Sequence, residues 1–337
     1  MTAKYYKYLL KFKRPSGTSR GVLLEKETFI LEVFNDNKNG VGECAIFRGL
    51  SFDDRLDYEE KLKWLCENIS QNSDYLKEEL KEFPSIWFGY EQAVLNLKNG
   101  GNIFFPSEFT DEKVPIIING LIWMGNIDFM EEQIQEKLNQ GFHCIKLKIG
   151  VDWQSEHQIL QKLRQKFSKN QLELRVDANG GFTKDEAKIV LQQLADLDIH
   201  SIEQPIRAGN WNDMAELCAE TPTPIALDEE LIGIINLEEK KNLLETIKPQ
   251  YIILKPALVG GFSGSDEWIS LAERNNIEWW ITSALESNIG LNAIAQYTFT
   301  KKNKMPQGLG TGSLFTNNFK SCLEIDGEKL FYKTLSD

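Results

Sequence analysis

Two lysines one residue apart, Lys146 and Lys148, sit in the run Cys144-Ile145-Lys146-Leu147-Lys148-Ile149-Gly150. Strict alternation sends Ile145, Leu147 and Ile149 to one face of a strand and both lysines to the other. On an edge strand they would face water. Turned inward, they lose hydration at a cost of several kcal/mol unless carboxylates lie nearby. The chain supplies those carboxylates at the ends of later β-like runs, Asp177, Glu203 and Asp228, and then a further lysine, Lys255. Each acid alone reads equally well as a helix cap or a solvated turn, but the regular order of all these charges favours one site. Oxygen ligands on consecutive strands suit a hard divalent cation, with coordination positions left for water and a substrate carboxylate. Mg²⁺ is the expected ion, with Mn²⁺ as the alternative.

Such a row requires parallel strands with their C-terminal ends together. From Val114 onward, β-like runs recur every 25 to 30 residues with amphipathic stretches between them. The runs are Val114–Asn119, Cys144–Ile149, Leu172–Asp177, Ser201–Gln204, Pro224–Asp228, Tyr251–Lys255, Ile277–Ser283 and a poorer one near Gly308. This pattern predicts a βα barrel, whose chemistry sits at the strand C-termini. Capping boxes are expected at Thr183/Glu186 and Asp128/Glu131, with Ala187, Val190, Leu191 and Leu194 as an inward stripe. The first hundred residues read as an α+β unit. A strand near Tyr5–Phe12 is followed by a polar loop, Arg14–Gly21, and by a hairpin of Glu27–Phe34 with Gly40–Ile46. Helical spacing of Tyr58, Leu62, Leu65 and Ile69, then of Trp87 to Leu97, follows. Residues 102–113 have a linker's composition. The expected division is a capping part over 1–112, a barrel over 113–313, and a β-like C-terminal segment, 314–337, returning to the cap.

Bulk properties narrow the class. A chain of 337 residues buries a large core without disulfide staples. Its five scattered cysteines suit a reducing cytoplasm better than secretion or a zinc site. The N-terminus has no apolar signal core, and no apolar run approaches the roughly 20 residues that cross a bilayer. A net charge of −12 with dispersed basic residues argues against nucleic acid as a partner. A small carboxylate substrate is the expected partner, and the oligomeric state stays open.

In combination, Lys146-Leu147-Lys148, Asp177-Ala178-Asn179, Glu203-Gln204-Pro205, Asp228-Glu229 and Lys255-Pro256 resemble the enolase superfamily, in its muconate lactonizing enzyme subgroup. The resemblance covers essentially the whole chain. It implies an α+β capping domain on a modified TIM barrel, (β/α)7β. It also implies metal binding by Asp177, Glu203 and Asp228, with Lys148 and Lys255 on opposite faces of the substrate. Glu230 stands where the family usually has serine, which leaves open which of Asp228 and Glu229 reaches the metal; strand alternation favours Asp228. The implied chemistry is proton removal next to a carboxylate. The base is then a neutral lysine, and burial near a second ammonium, the part expected of Lys146, is what favours the neutral form. The expected enzyme is a Mg²⁺-dependent dehydratase of menaquinone biosynthesis. Racemisation of an N-acylamino acid or epimerisation of a dipeptide is the rival, and a non-catalytic metal-binding barrel the rival from another class.

Further candidates for substrate contact are Lys146, Asn179, Asn119 and Ser283. Arg175 shares a strand face with Asp177 and reads as a substrate contact or as an ion pair within the barrel. His143, His157 and His200 lie away from strand C-termini and are set aside. The loops Pro15–Arg20 and Phe47–Ser51 resemble the family's lids. Gly308–Gly312 reads as a turn whose amides approach a ligand or simply as a turn.

Overall fold

The structure, a computed structural model, describes residues 1–18 and 21–335. A three-stranded antiparallel sheet, β1 (Thr2–Thr18), β2 (Gly21–Asn35) and β3 (Lys38–Cys44), opens the chain. The expected polar loop at Arg14 is largely strand. After an irregularity between Lys11 and Ser16 the ladder resumes, pairing Ser16 with Leu23, Gly17 with Val22 and Thr18 with Gly21. Backbone pairing needs no apolar side chains, which is why a Ser/Gly-rich stretch can carry it. Of the Pro15–Arg20 lid, Ser19 and Arg20 lie outside the described residues, as do the side chains from Pro15 on.

Against this sheet pack α1 (Tyr58–Asn68), α2 (Ser73–Glu79) and α3 (Pro84–Asn99). Tyr58, Leu62, Leu65 and Ile69 are buried with Phe29, Leu31 and Val33, as their helical spacing demands. The α3 helix lies unusually close to β3. A Cβ on Gly42 would come within 2.0 Å of the Gly89 carbonyl oxygen, so only glycine fits there. Residues 102–113 form no helix or strand, yet they are not a solvated tether. Phe104 and Phe109 are buried, and the Phe104 and Phe105 amides donate to Gln296 Oε1 at 2.8 and 3.0 Å. Burying each such ring stabilises the cap–barrel junction by about 1.5–3 kcal/mol.

The barrel follows in strict alternation. Its elements are β4 (Ile116–Ile117), β5 (Gly120–Ile122), α4 (Ile127–Asn139), β6 (Cys144–Lys148), α5 (Trp153–Lys166), β7 (Glu173–Asp177) and α6 (Lys184–Ala195). Then come β8 (Ser201–Glu203), α7 (Trp211–Glu220), β9 (Ile225–Leu227), a 3₁₀ turn at Glu229–Leu231, α8 (Leu237–Ile247), β10 (Tyr251–Leu254), α9 (Gly261–Arg274), β11 (Glu278–Ile281) and α10 (Asn288–Thr300). Strands β5 to β11 form one seven-stranded sheet in sequence order, with parallel pairing throughout. Parallel bridges from Ile118 to Gln307 and from Thr282 to Gly308 close the ring, so the poor eighth run is a strand reduced to bridges.

Two local expectations shift. The first barrel strand is Gly120–Ile122, just past the Val114–Asn119 run, whose Ile116–Ile117 instead pair antiparallel with the C-terminal hairpin. The α4 cap is Asn126 rather than Asp128. Asn126 Oδ1 accepts the Phe129 amide at 2.9 Å, leaving Asp128 inside the first turn. At α6 the Thr183/Glu186 capping box forms as read. After the barrel, residues 314–317 run against β1: Phe315 bridges Phe12, and the Lys13 amide donates to the Leu314 carbonyl. The hairpin itself, β12 (Leu323–Asp326) with β13 (Lys329–Tyr332), pairs with β4 on the barrel. Among the described residues no helix is long and apolar enough to cross a membrane.

Candidate active site

Strand register lines the charges up. Lys148 pairs with Asp177 across β6 and β7, and Asp177 with Glu203 across β7 and β8, so these residues stand at one height in the barrel. Asp228 follows β9 and Lys255 follows β10, which extends the row in strand order. Lysine therefore stands at each end of a row of carboxylates. Asp177, Glu203 and Asp228 are buried.

Ammonium groups bridge the acids. Lys146 Nζ lies 2.5 Å from Glu203 Oε2 and 3.4 Å from Asp177 Oδ2. Lys148 Nζ lies 3.0 Å from Asp177 Oδ2 and donates to Asn179 Oδ1 at 2.7 Å. Lys255 pairs with Asp228 and stands 3.6 Å from Glu203 Oε1. Burial pushes Asp177 up, but Lys148 and Lys146 outweigh it and hold its carboxyl well below the usual range. Glu203 goes the other way, because burial and the neighbouring Asp177 charge push it up to about 7. It is the middle carboxylate of the row and takes the repulsion of both neighbours. Burial also raises Asp228, against the pull of Lys255. For Lys146 and Lys255 burial acts downward, and the carboxylates more than reverse it.

The turns that aim these groups are strained. Asn179 and Gln204 take left-handed φ values of 44° and 40° just past β7 and β8. Asparagine tolerates this, whereas glutamine there costs about 1–2 kcal/mol. Gln204 recovers it through a clamp. Its Nε2 donates to Glu230 Oε2 at 3.0 Å, and its Oε1 accepts the Asp228 and Glu230 amides at 3.2 Å each. Glu230 in turn accepts the Gly209 amide at 2.8 Å. Thus Glu230, the residue standing in place of serine, braces the turn that carries Asp228. Glu229 points elsewhere: it accepts from Asn179 Nδ2 at 3.1 Å and lines the pocket.

That pocket opens over the row. Lys146, Lys148, Asp177, Asn179, Glu229 and Lys255 form its charged floor, and Phe47 and Leu50 of the cap reach over it. Asn119, Leu121 and Trp123 make one wall, and Thr282, Ser283, Ala284, Leu285, Gly308, Gly310 and Thr311 the other. Thr282 Oγ1 is buried with no hydrogen-bond partner among the described residues. Ser283 stands just past the end of β11 as expected, whereas Asn119 precedes the first barrel strand instead of ending it and still lines the pocket; Gly308–Thr311 is pocket wall. Arg175 is not brought to the pocket. Its guanidinium donates to Glu173 Oε1 at 2.7 Å and the Pro306 carbonyl at 2.9 Å, and lies 4.4 Å from the Trp280 ring centroid. Of its two readings, the geometry is that of the ion pair within the barrel. His143 pairs with Glu328, His157 lies against Trp153, and His200 against Ser201 and Tyr251; none lines the pocket. A groove between α4 and α5, which His143 lines, carries none of the lysines and carboxylates of the row.

Sequence reading missed Trp123, Leu121 and the Gln204–Glu230 clamp. Gln204 belongs to the run Glu203-Gln204-Pro205, but only its left-handed turn explains what it does.

Among the described residues no group of three or more His, Cys, Asp and Glu side chains is placed to hold a metal ion, and ammonium groups stand between the acids instead. The donor set nevertheless suits one. Glu203 Oε1 is buried with no hydrogen-bond partner among the described residues, and the flanking donors are carboxylate oxygens on adjacent strand ends. Hard oxygens around an unfilled lone pair fit a hard divalent cation.

A family model described as "Enolase C-terminal domain-like" matches residues 129–326. An o-succinylbenzoate synthase from Desulfotalea psychrophila is 45% identical over 97% of this chain and 98% of its own length. The crystal structure of MenC from that organism superposes with a TM-score of 0.88 at 41% identity, covering 98% of this chain and 99% of the other. An L-Ala-D/L-Glu epimerase from Bacillus subtilis is 28% identical over 52% of this chain and 47% of its own.

Proposed function

Because the chain belongs to the enolase superfamily, in its o-succinylbenzoate synthase family, we propose that it dehydrates 2-succinyl-6-hydroxy-2,4-cyclohexadiene-1-carboxylate to 2-succinylbenzoate. It is a carbon–oxygen lyase, and the proposed setting is menaquinone biosynthesis in the cytoplasm. The observation that carries the site assignment is the row of buried carboxylates with a lysine at each end.

Asp177, Glu203 and Asp228 would hold Mg²⁺, or Mn²⁺ in its place, and the bound cation would supply positive charge beside the substrate carboxylate. Lys148 takes the proton from the carbon bearing that carboxylate. Hydroxide leaves the adjacent ring carbon and departs as water with the proton that Lys148 returns, so the ring becomes aromatic and the atoms balance. Lys255, at the other end of the row, keeps its charge and stabilises the enediolate from the opposite side. Lys146 and Asn179 orient the lysine and carboxylates that they contact. Phe47 and Leu50 exclude water from above. A lysine at each end also suits two-base racemisation of an N-acylamino acid, which is the second reading. The Thr311 wall offers a hydroxyl and glycines where a dipeptide epimerase is expected to place carboxylates for the substrate amine.

The test is steady-state turnover of the cyclohexadiene acid beside a panel of N-succinylamino acids, with Mg²⁺ present. The dehydration should have the larger kcat/KM. Racemisation that outruns dehydration would install the second reading.

A further inference from the structure

The seam between cap and barrel holds a charge that this chemistry does not use. Lys26, on β2, is 6% exposed, yet its ammonium has no hydrogen-bond partner among the described residues. The nitrogen lies 5.9 Å from the ring centroid of Phe47, which closes the pocket from the cap. Burial lowers its pKa, and two buried carboxylates, Glu43 and then Glu286, oppose that through space. Glu43 is already saturated. It accepts from Thr28 Oγ1, the Ser287 amide and hydroxyl, and the Gly290 amide. Glu286 is not: Oε2 accepts from Ser283 Oγ at 2.7 Å and the Ala284 amide at 2.8 Å, while Oε1 has no hydrogen-bond partner among the described residues. A buried ammonium and a buried carboxylate oxygen, each unmatched, therefore share one seam. Burying Glu286 is costly, and Lys26 offsets part of that cost through space, while Glu43 is the stronger attraction on the ammonium itself.

What Glu286 holds is a wall of the active site. Thr311 Oγ1 lies 2.8 Å from Ser283 Oγ, which also accepts the Leu285 amide. An ionised carboxylate only accepts, so Ser283 must give its one hydrogen to Glu286, and Thr311 must give its own to Ser283. The direction of this hydroxyl chain follows from the charge on Glu286. Burial pushes that carboxyl toward its neutral form and Lys26 opposes it. A neutral Glu286 is free to donate, and the chain then loses its single direction.

We propose that Lys26 is a positioning residue for the substrate: it holds Glu286 so that the Ser283–Thr311 wall keeps one hydrogen-bonding pattern, and it ties that wall to Phe47 of the cap. Lys26 touches neither the substrate nor the reacting atoms. Its effect is on fit rather than on proton transfer, and it rests on the pocket assignment above.

The experiment uses the full chain with Mg²⁺ and whichever substrate of the panel the wild type turns over fastest, so the identity of the substrate and the role of Lys26 are read separately. Lys26→Met should raise KM about 10-fold with kcat within about 2-fold, a loss of about 1.4 kcal/mol in substrate fit. Lys26→Arg should recover most of the KM. Adding Lys26→Met to Glu286→Gln should raise KM no further than Glu286→Gln alone, because the two act in series. An unchanged KM in Lys26→Met, or a further rise in the double variant, overturns the proposal. If Lys26→Met alone does not fold, the double variant lacks both buried charges, and its KM against Glu286→Gln decides the matter.

Discussion

Glu43 and Glu91 reach from the cap into the barrel and end on backbone amides, whereas Asp177, Glu203 and Asp228 end on lysine ammoniums at the strand ends. Glu43 accepts the Ser287 and Gly290 amides at 2.9 and 3.0 Å, at the N-terminus of α10. Glu91 accepts the Phe262 and Ser263 amides at 2.6 and 3.1 Å, at the N-terminus of α9. Beside it, Trp87 Nε1 donates to Ser263 Oγ at 2.9 Å. A helix N-terminus offers fixed donors and a favourable dipole, so these acids act as pegs that register cap against barrel. The mouth differs because its counter-charges are side chains that can be exchanged, and because Glu203 keeps an oxygen without a hydrogen bond. Fully bonded acids hold the two parts together, and incompletely bonded acids are available for binding and chemistry.

The largest effect should come at the mouth. Glu203→Gln should reduce turnover about 100-fold or more and weaken Mg²⁺ binding measured by calorimetry. The melting temperature should hold or rise, since the change removes a carboxylate whose charge is opposed first by burial and then by Asp177. Unweakened Mg²⁺ binding would remove Glu203 from the metal site. At the seam the pattern should invert. Glu43→Gln sets an amide against donors that a carboxylate now satisfies and should destabilise the fold by about 2–3 kcal/mol by urea unfolding. Turnover by the folded fraction should change little. A large loss of kcat at unchanged stability would break the distinction between the regions.

The smallest effect is a pH dependence. Burial, outweighing the amides that Glu91 accepts, pushes its carboxyl from the ordinary 4.5 up to about 7. Between those pH values the unfolded chain gives up the proton while the folded protein keeps it, so stability falls as pH rises through the window. Relative to Glu91→Gln, wild type should lose about 2–3 kcal/mol between pH 4.5 and 7.5, and the difference should flatten below pH 4. Parallel stability curves for the two proteins would show that Glu91 does not titrate there.

The mouth was legible because strand alternation and strand ends are local signals. Lys146 and Lys148 declare their face within seven residues, and each acid marks the end of its own run, so fold class and candidate row follow from the chain alone. The seam was not legible. Glu43 meets Ser287 across 244 residues and Glu91 meets Phe262 across 171, and neither acid stands out from an ordinary amphipathic element. Lys26 was hidden for the same reason. Short-range errors had local causes: Asn126 outcompeted Asp128 for the α4 cap, and the apolar run before Gly120 drew the first strand too early. Arg175 had the right strand face for the mouth but lies at the height of Lys146, where Glu173 and Trp280 hold it in the core.

The central claim is that the lysine beside Asp177 moves the proton and the lysine beside Asp228 supplies charge. It is tested by incubating wild type, Lys148→Ala and Lys255→Arg with the cyclohexadiene acid in deuterium oxide and following substrate and product by NMR. Wild type should form 2-succinylbenzoate. Lys148→Ala should show neither product above the buffer rate nor exchange of the substrate α-proton, and Lys255→Arg should retain measurable dehydration because its charge persists. Dehydration that survives in Lys148→Ala would contradict the account.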